Sequence, residues 1–226
     1  MVVPIFAGMQ DIIGAFRSVG LLHSGYHIDL LRAGYTSNLA LLALPILCTL
    51  PYTTAYVEDK SSGFLKAYLP KVGVQKYIAQ KAGACALSGG LCLLFGALMA
   101  YILLALCFLP KEAAGRLEPT HIKRMLEQFA LLFAFGAFWS SLGFLLASLT
   151  KSRYMAYAGP FVICYVCIIF YERYFNKLYV LYPKEWLSPS NNWVMGAWGV
   201  VLLLIVFSVA IMSVFALFLQ RKLVEA

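Results

Sequence analysis

Five stretches of this chain contain no Asp, Glu, Lys or Arg: Ala33–Val57 (25 residues), Ala82–Leu109 (28), Phe129–Leu149 (21), Tyr154–Tyr171 (18) and Trp193–Leu219 (27). Together they make 119 of the 226 residues. A helix needs about 20 apolar residues to cross the hydrocarbon of a bilayer. In lipid the backbone must satisfy its own hydrogen bonds, which leaves the helix and the closed barrel. Barrel strands alternate and run to roughly 9–11 residues; these stretches do neither. Composition agrees, at 62% hydrophobic and 12% charged, against roughly 45–50% and 25% in a soluble domain. The expectation is an all-α integral membrane protein, a polytopic bundle of five to six transmembrane helices forming one domain over 1–226.

The spans are expected at 33–57, 82–109, 129–149, 154–171 and 193–219. Met1–Phe16, which is short and carries Asp11, reads as a partial or short first span or as an interfacial helix. The formal charge is +8. Its cations fall between apolar runs, so they point to lipid headgroups and an acidic protein surface, not to nucleic acid. If 58–81 is cytoplasmic, so are 150–153 and the C-terminus. Nine Lys/Arg then lie on each side, and only the net charge, +6 against +2, leans toward that choice. The connection 172–192 is rich in rings (Tyr174, Phe175, Tyr179, Tyr182, Trp186). It reads either as two short helices at or dipping into the outer interface, or as a plain aromatic belt.

Catalytic signatures are missing. There is no P-loop, no Gly-x-Ser-x-Gly elbow and no His-Glu-x-x-His. The five uncharged runs hold no His either, so no nucleophile–base pair or aspartate pair sits at depth. Cys164-Tyr-Val-Cys167 lies in an apolar run and reads as two small hydrophobes one turn apart. His23 and His27 lack a third ligand for a metal. The chain is expected not to be an enzyme and to carry no cofactor. Gly136, Ser140, Gly143 and Ala147 form one stripe at helical spacing, suited to close helix packing within the chain or to a dimer seam.

The most charged segment is Tyr56–Lys81. Glu58 and Asp59 precede Ser61-Ser62, which can cap a short helix, and Pro70 discourages its continuation past Leu69. Phe64, Leu65, Tyr68 and Leu69 would share one face. Lys66, Lys71, Lys76 and Lys81 are five apart and so cannot form one stripe; they suit solvation and headgroup binding. The apolar face would meet a protein, or the segment would touch only lipid.

These residues also carry a likeness. Leu50-Pro51-Tyr52, then Glu58-Asp59-Lys60-Ser61-Ser62-Gly63-Phe64-Leu65-Lys66, then Lys76-Tyr77-Ile78-Ala79-Gln80-Lys81 resemble the membrane subunits of type-2 ATP-binding cassette exporters. Gly143 through Lys151, Ala158-Gly159-Pro160-Phe161, Glu172 through Phe175 and Tyr182 through Leu187 continue the likeness in order. The resemblance implies a permease subunit with a second permease chain, identical or not, and separate ATPase chains that hold ATP and Mg. It implies that 58–81 is a cytoplasmic coupling helix, with Glu58, Asp59, Gly63, Phe64, Leu65 and Tyr68 toward the ATPase, and that 172–192 is an outer re-entrant pair. The expected location is the plasma membrane, with the C-terminus cytoplasmic. The family begins with a basic connector helix and a full first span, whereas this chain starts in what reads as the outer half of that span. Thr49, Thr53, Tyr56 and Ser140 are candidate lining of a pathway, and their lack of charge suits an amphiphilic or hydrophobic cargo such as a lipid, peptide or drug. The competing expectation is a membrane scaffold or sensor that binds a cytoplasmic partner through 58–81 without transport.

Overall fold

Uncharged runs of this length fold into long rods. The computed structural model describes residues 25–112, 119–175, 178–190, 193 and 195–224, without the side chains of 66, 111, 119 and 221–224. Met1–Phe16 and His23 lie outside the described residues. The described elements are helical: α1 (Tyr26–Thr36), α2 (Asn38–Thr49), α3 (Ala55–Ser61), α4 (Phe64–Val72), α5 (Val74–Phe108), α6 (Pro119–Thr150), α7 (Arg153–Arg173), α8 (Pro183–Leu187) and α9 (Ala197–Val224), with 3-10 turns at Leu109–Lys111 and Tyr179–Leu181.

Four stretches among them are long and apolar enough to cross a membrane: Val74–Phe108, Thr120–Thr150, Arg153–Arg173 and Ala197–Gln220. The chain is therefore a membrane-embedded helical protein. The uncharged run 33–57 is not one rod. It comprises the end of α1, a 74° bend, α2, a turn and the start of α3; counted as one broken span, the α1–α2 pair makes five. The bend has a local cause. Ser37 is extended (φ −67°, ψ 152°), and its hydroxyl accepts from the Ala40 N–H at 3.2 Å, capping α2.

α6 is the hub. In its apolar window 67% of residues are buried, against 33% in α5 and 22% in α7 and α9. Lipid gives helices no hydrophobic reason to associate, so close packing must do it. The stripe Gly136, Ser140, Gly143, Ala147 performs this within the chain. A Cβ on Gly136 would stand 2.5 Å from the Gly89 carbonyl oxygen of α5, and one on Gly143 would stand 2.7 Å from the Ala156 carbonyl oxygen of α7. Ser140 Oγ donates to the Cys85 carbonyl at 2.9 Å, a side-chain bond between α5 and α6.

Two apolar clusters fill the bundle. The larger joins α1, α2 and the middle of the rods around Phe135, Trp139, Phe108 and Leu204. There Trp186 of α8 wedges against α6, with ring centroids 5.3 Å from Phe138 and 6.0 Å from Trp139. The smaller lies at the other end, where Tyr56, Leu65, Tyr77, Ile78, Phe144 and Phe215 meet.

Gly136→Val should thus wedge α5 from α6 and cost about 1–3 kcal/mol, the usual penalty of overpacking. Gly83→Ala, where an added Cβ meets nothing within 4 Å, should stabilise by about 0.5–1 kcal/mol through helix propensity. Thermal unfolding of both variants in detergent checks the contrast.

Candidate functional site: the α3–α4 elbow

The segment that joins the end of α2 to α5 is an elbow of two short helices. Gly63 makes it possible. At φ +76° it occupies the left-handed region, where a side chain is disfavoured, and it ends α3 while opening α4. The expected serine cap is not formed. Ser61 and Ser62 instead donate back to the carbonyls of Glu58 and Asp59. Nor does α4 stop at Leu69. It continues through exposed Pro70 to Val72, and Gly73 (φ +83°) ends it, donating its N–H to the Leu69 carbonyl at 2.9 Å. Proline forfeits one helical hydrogen bond there, near the end of a short helix.

The apolar face of α4 divides its work. Leu65 is buried against Tyr56, Tyr77 and Ile78, and Tyr68 and Leu69 are half-buried on the same cluster. Phe64 stays outside at 45% exposure, stacked on Tyr68 with centroids 4.9 Å apart. Glu58 is exposed and accepts from Thr54 Oγ1 at 2.8 Å, a bond within its own helix start. Asp59 turns the other way. Its Oδ2 accepts from the Tyr77 hydroxyl at 2.7 Å and pairs with Lys81 Nζ at 2.7 Å. The Lys81 ammonium also lies 5.2 Å from the Tyr52 ring centroid and 5.9 Å from that of Tyr77. Carboxylate and ammonium are 17% and 19% exposed, so the pair fastens α3 to α5 in a largely enclosed setting.

Lys81 is therefore engaged within the chain and separates from the other lysines proposed for headgroups. Lys71 and Lys76 are exposed, and Lys66 lies on α4 with a side chain outside the described ones. The pathway candidates are all inside the bundle. Thr49 Oγ1 donates to the Ile46 carbonyl at 2.7 Å, Thr53 Oγ1 to the Thr49 carbonyl and Ser140 to Cys85, while the Tyr56 ring packs edge-on to Phe215 at 5.7 Å. None faces open space in this conformation, since hydroxyls in spans bond to the nearest carbonyl. Tyr77 and Tyr52 are elbow anchors to which sequence reasoning gave no role, and Lys81 was assigned to headgroups and not to Asp59. The one available signal was a lone acidic pair, Glu58-Asp59, followed by regularly spaced lysines.

A second polar clasp occupies the opposite end. Glu112, just past α5, accepts from the N–H groups of Gly25 (3.1 Å) and His27 (2.9 Å) and from His27 Nδ1 (2.7 Å). It caps α1 from 85 residues away. Burial alone would raise its carboxyl pKa, but the three hydrogen bonds from His27 and Gly25 prevail and lower it. Among the described residues no group of three His, Cys, Asp or Glu is placed to hold a metal.

No known protein family matches the chain, and comparison with curated proteins and with solved structures likewise finds no match.

Removing one partner of the enclosed pair should be costly, so Lys81→Met is expected to destabilise by roughly 3 kcal/mol. Because Asp59 and Lys81 share one contact, Asp59→Asn in the same chain should add less than its single cost, a non-additivity read by denaturation of the four proteins of the cycle. For Glu112 the folded carboxyl titrates below its ordinary value, so its contribution is present above about pH 4.5 and is lost as pH falls through the lower folded value. Hydrogen exchange at the start of α1 should accelerate in that acid window, and Glu112→Gln should abolish the dependence.

Proposed function

We propose that the chain is the permease subunit of a type-2 ATP-binding cassette exporter, with α3–α4 as its cytoplasmic coupling element. The observation that carries this reading is the elbow itself: an exposed Phe64 on a short helix whose other side is locked into the bundle by Leu65 and Tyr68, next to α3, which the Asp59–Lys81 pair fastens to α5. Such a piece transmits force. A partner that grips Phe64 cannot move α4 without moving Tyr77 of α5, which packs against Tyr68, and the Leu65 cluster passes the displacement on to Phe144 of α6 and Phe215 of α9. Packed interfaces shift between discrete arrangements, so a pull at the elbow biases one arrangement of the rods over another.

In this reading ATP and Mg are bound and ATP is hydrolysed on separate ATPase chains, and this chain does no catalysis. A second permease chain, identical or related, completes the pathway for an amphiphilic or hydrophobic cargo. The buried states of Thr49, Thr53, Tyr56 and Ser140 belong to a closed arrangement, and rearrangement of the rods would uncover them. The bundle has five to six spans in the plasma membrane, with the C-terminus on the cytoplasmic side beside the elbow. The turn Tyr179–Leu181 and α8 are the re-entrant pair on the outer side. The exposed Lys71 and Lys76 suit anionic headgroups of the inner leaflet.

Affinity purification of the full chain in detergent, followed by mass spectrometry, should recover an ATPase. Phe64→Ala, at an exposed site that the fold tolerates, should lower that recovery and the hydrolysis measured after reconstitution about tenfold, as loss of an aromatic anchor does. A wild-type chain that brings no ATPase would favour the scaffold or sensor reading instead.

A further inference from the structure

At the end of the bundle opposite the elbow, α1, α6 and the entry to α9 border a partly open cavity of about 90 Å³. Its walls include Arg32 of α1, Arg124, Glu127 and Gln128 of α6, and Pro189 and Ala197. We infer that this cavity is a binding site for a phosphate-bearing group.

Charge is the first argument. Glu127 lines the cavity beside the two guanidiniums, and its Oε1 has Lys123 Nζ at 3.9 Å as a counter-charge, so the cations of this wall outnumber its one carboxylate. Among the described residues neither Arg32 nor Arg124 makes an ion pair, and Arg32 has one long hydrogen bond, from Nη2 to Ser188 Oγ at 3.4 Å. Arg32 is nonetheless half-buried. A guanidinium held beside a cavity with most of its five donors unused is set to receive an anion, and its planar fork matches two oxygens of one phosphate. Arg124 of α6, exposed, lines the same cavity from a second helix.

Dipole and shape are the second. Ala197 opens α9, 28 residues long, and the first-turn N–H groups of a helix have no intrahelical acceptor and carry the positive end of its dipole. Gln128, 5% exposed, spends one amide N–H on the Leu187 carbonyl at 3.4 Å, which fixes that wall. A cavity of about 90 Å³ has room for one small anion and not for a cargo molecule.

Depth is the third. Arg124 stands one turn and a half ahead of the uncharged run that begins at Phe129, the level of headgroups. Tyr179 and Trp193 pack edge-on at 5.2 Å in the neighbouring connection, as rings at that level do. Either a phospholipid headgroup or free phosphate could supply the group, and the lipid has the advantage that its acyl chains remain in the bilayer while the phosphate enters.

The test uses the purified, delipidated full chain. Native mass spectrometry would follow titration with phosphatidylglycerol in one arm and inorganic phosphate in the other, for wild type, Arg32→Gln, Arg124→Gln and, as a control on the far end, Arg153→Gln. Arg124 and Arg153 are exposed, so these variants keep the fold. Wild type and Arg153→Gln should hold one phosphatidylglycerol with an affinity at least tenfold above that of Arg124→Gln and Arg32→Gln. The same pattern with inorganic phosphate and not with the lipid would assign the site to free phosphate. Equal binding by all four proteins, or binding of neither probe by wild type, would overturn the inference.

Discussion

Everything in this bundle depends on how closely α5 approaches α6. Water drives apolar surfaces together, but lipid does not, so the rods associate only where their backbones can come near enough for dispersion and short hydrogen bonds to act. Gly89, Gly136 and Ser140 create that approach: the Gly136 Cα faces the Gly89 carbonyl with no room for a methyl group, and the Ser140 hydroxyl bridges to Cys85. Cys85 Sγ completes the exchange at 3.2 Å from Ser140 Oγ. With α5 fixed, α6 becomes the post against which α2, α7, α8 and α9 lean. The positions of both ends of the molecule follow from it.

At each end a carboxylate does the joining. Asp59 ties the elbow to α5, and Glu112 ties the start of α1 to the far end of the same helix. Both are held by several partners. That is the condition under which charge can stay near the hydrocarbon, because an unpartnered carboxylate there would neutralise instead. The Glu112 clasp and the Ser37 cap together explain why α1 bends away from α2. Glu112 holds the start of α1, and the Ser37 cap starts α2 afresh, so the run turns 74° between them.

How much of this could be read from residues alone differs by kind of information. Absence of charge is a one-dimensional property, and the runs 82–109, 129–149 and 154–171 fall on α5, α6 and α7 with at most one residue over. Their ends reach further than the runs, since α5 begins at Val74 and α6 at Pro119, and so take in Lys76, Lys81, Lys123 and Arg124. The break in 33–57 was invisible to a charge count, because Ser37 and Asn38 carry no charge; the capping chemistry of Ser37 was the signal, and it needed a search for helix starts inside an apolar run. The candidate site was legible as a place and not as an arrangement. Phe64, Leu65 and Tyr68 share a face, as their spacing implies, yet the tertiary fold turns most of that face inward. The partnership of Asp59 with Tyr77 and Lys81 spans a loop whose path only Gly63 and Gly73 set.

The same distinction explains why nine cations on each side say nothing about orientation. A count treats every lysine alike, whereas the folded chain uses them differently. Lys81 is spent on Asp59 and Lys123 faces Glu127, while Lys71 and Lys76 remain exposed at one end and Arg32 and Arg124 lack ion pairs among the described residues at the other. What a membrane senses is the charge left after internal pairing, and where it is presented. At the elbow end Lys71 and Lys76 carry it on flexible stems, strongly hydrated and suited to a diffuse headgroup layer, with the Arg153 guanidinium also exposed there. At the opposite end Arg32 and Arg124 line one cavity with guanidiniums, whose planar fork can engage two oxygens of one anion. Equal numbers thus conceal two different surfaces, and the difference arises from residue type and pairing, neither of which a tally of positive charge contains.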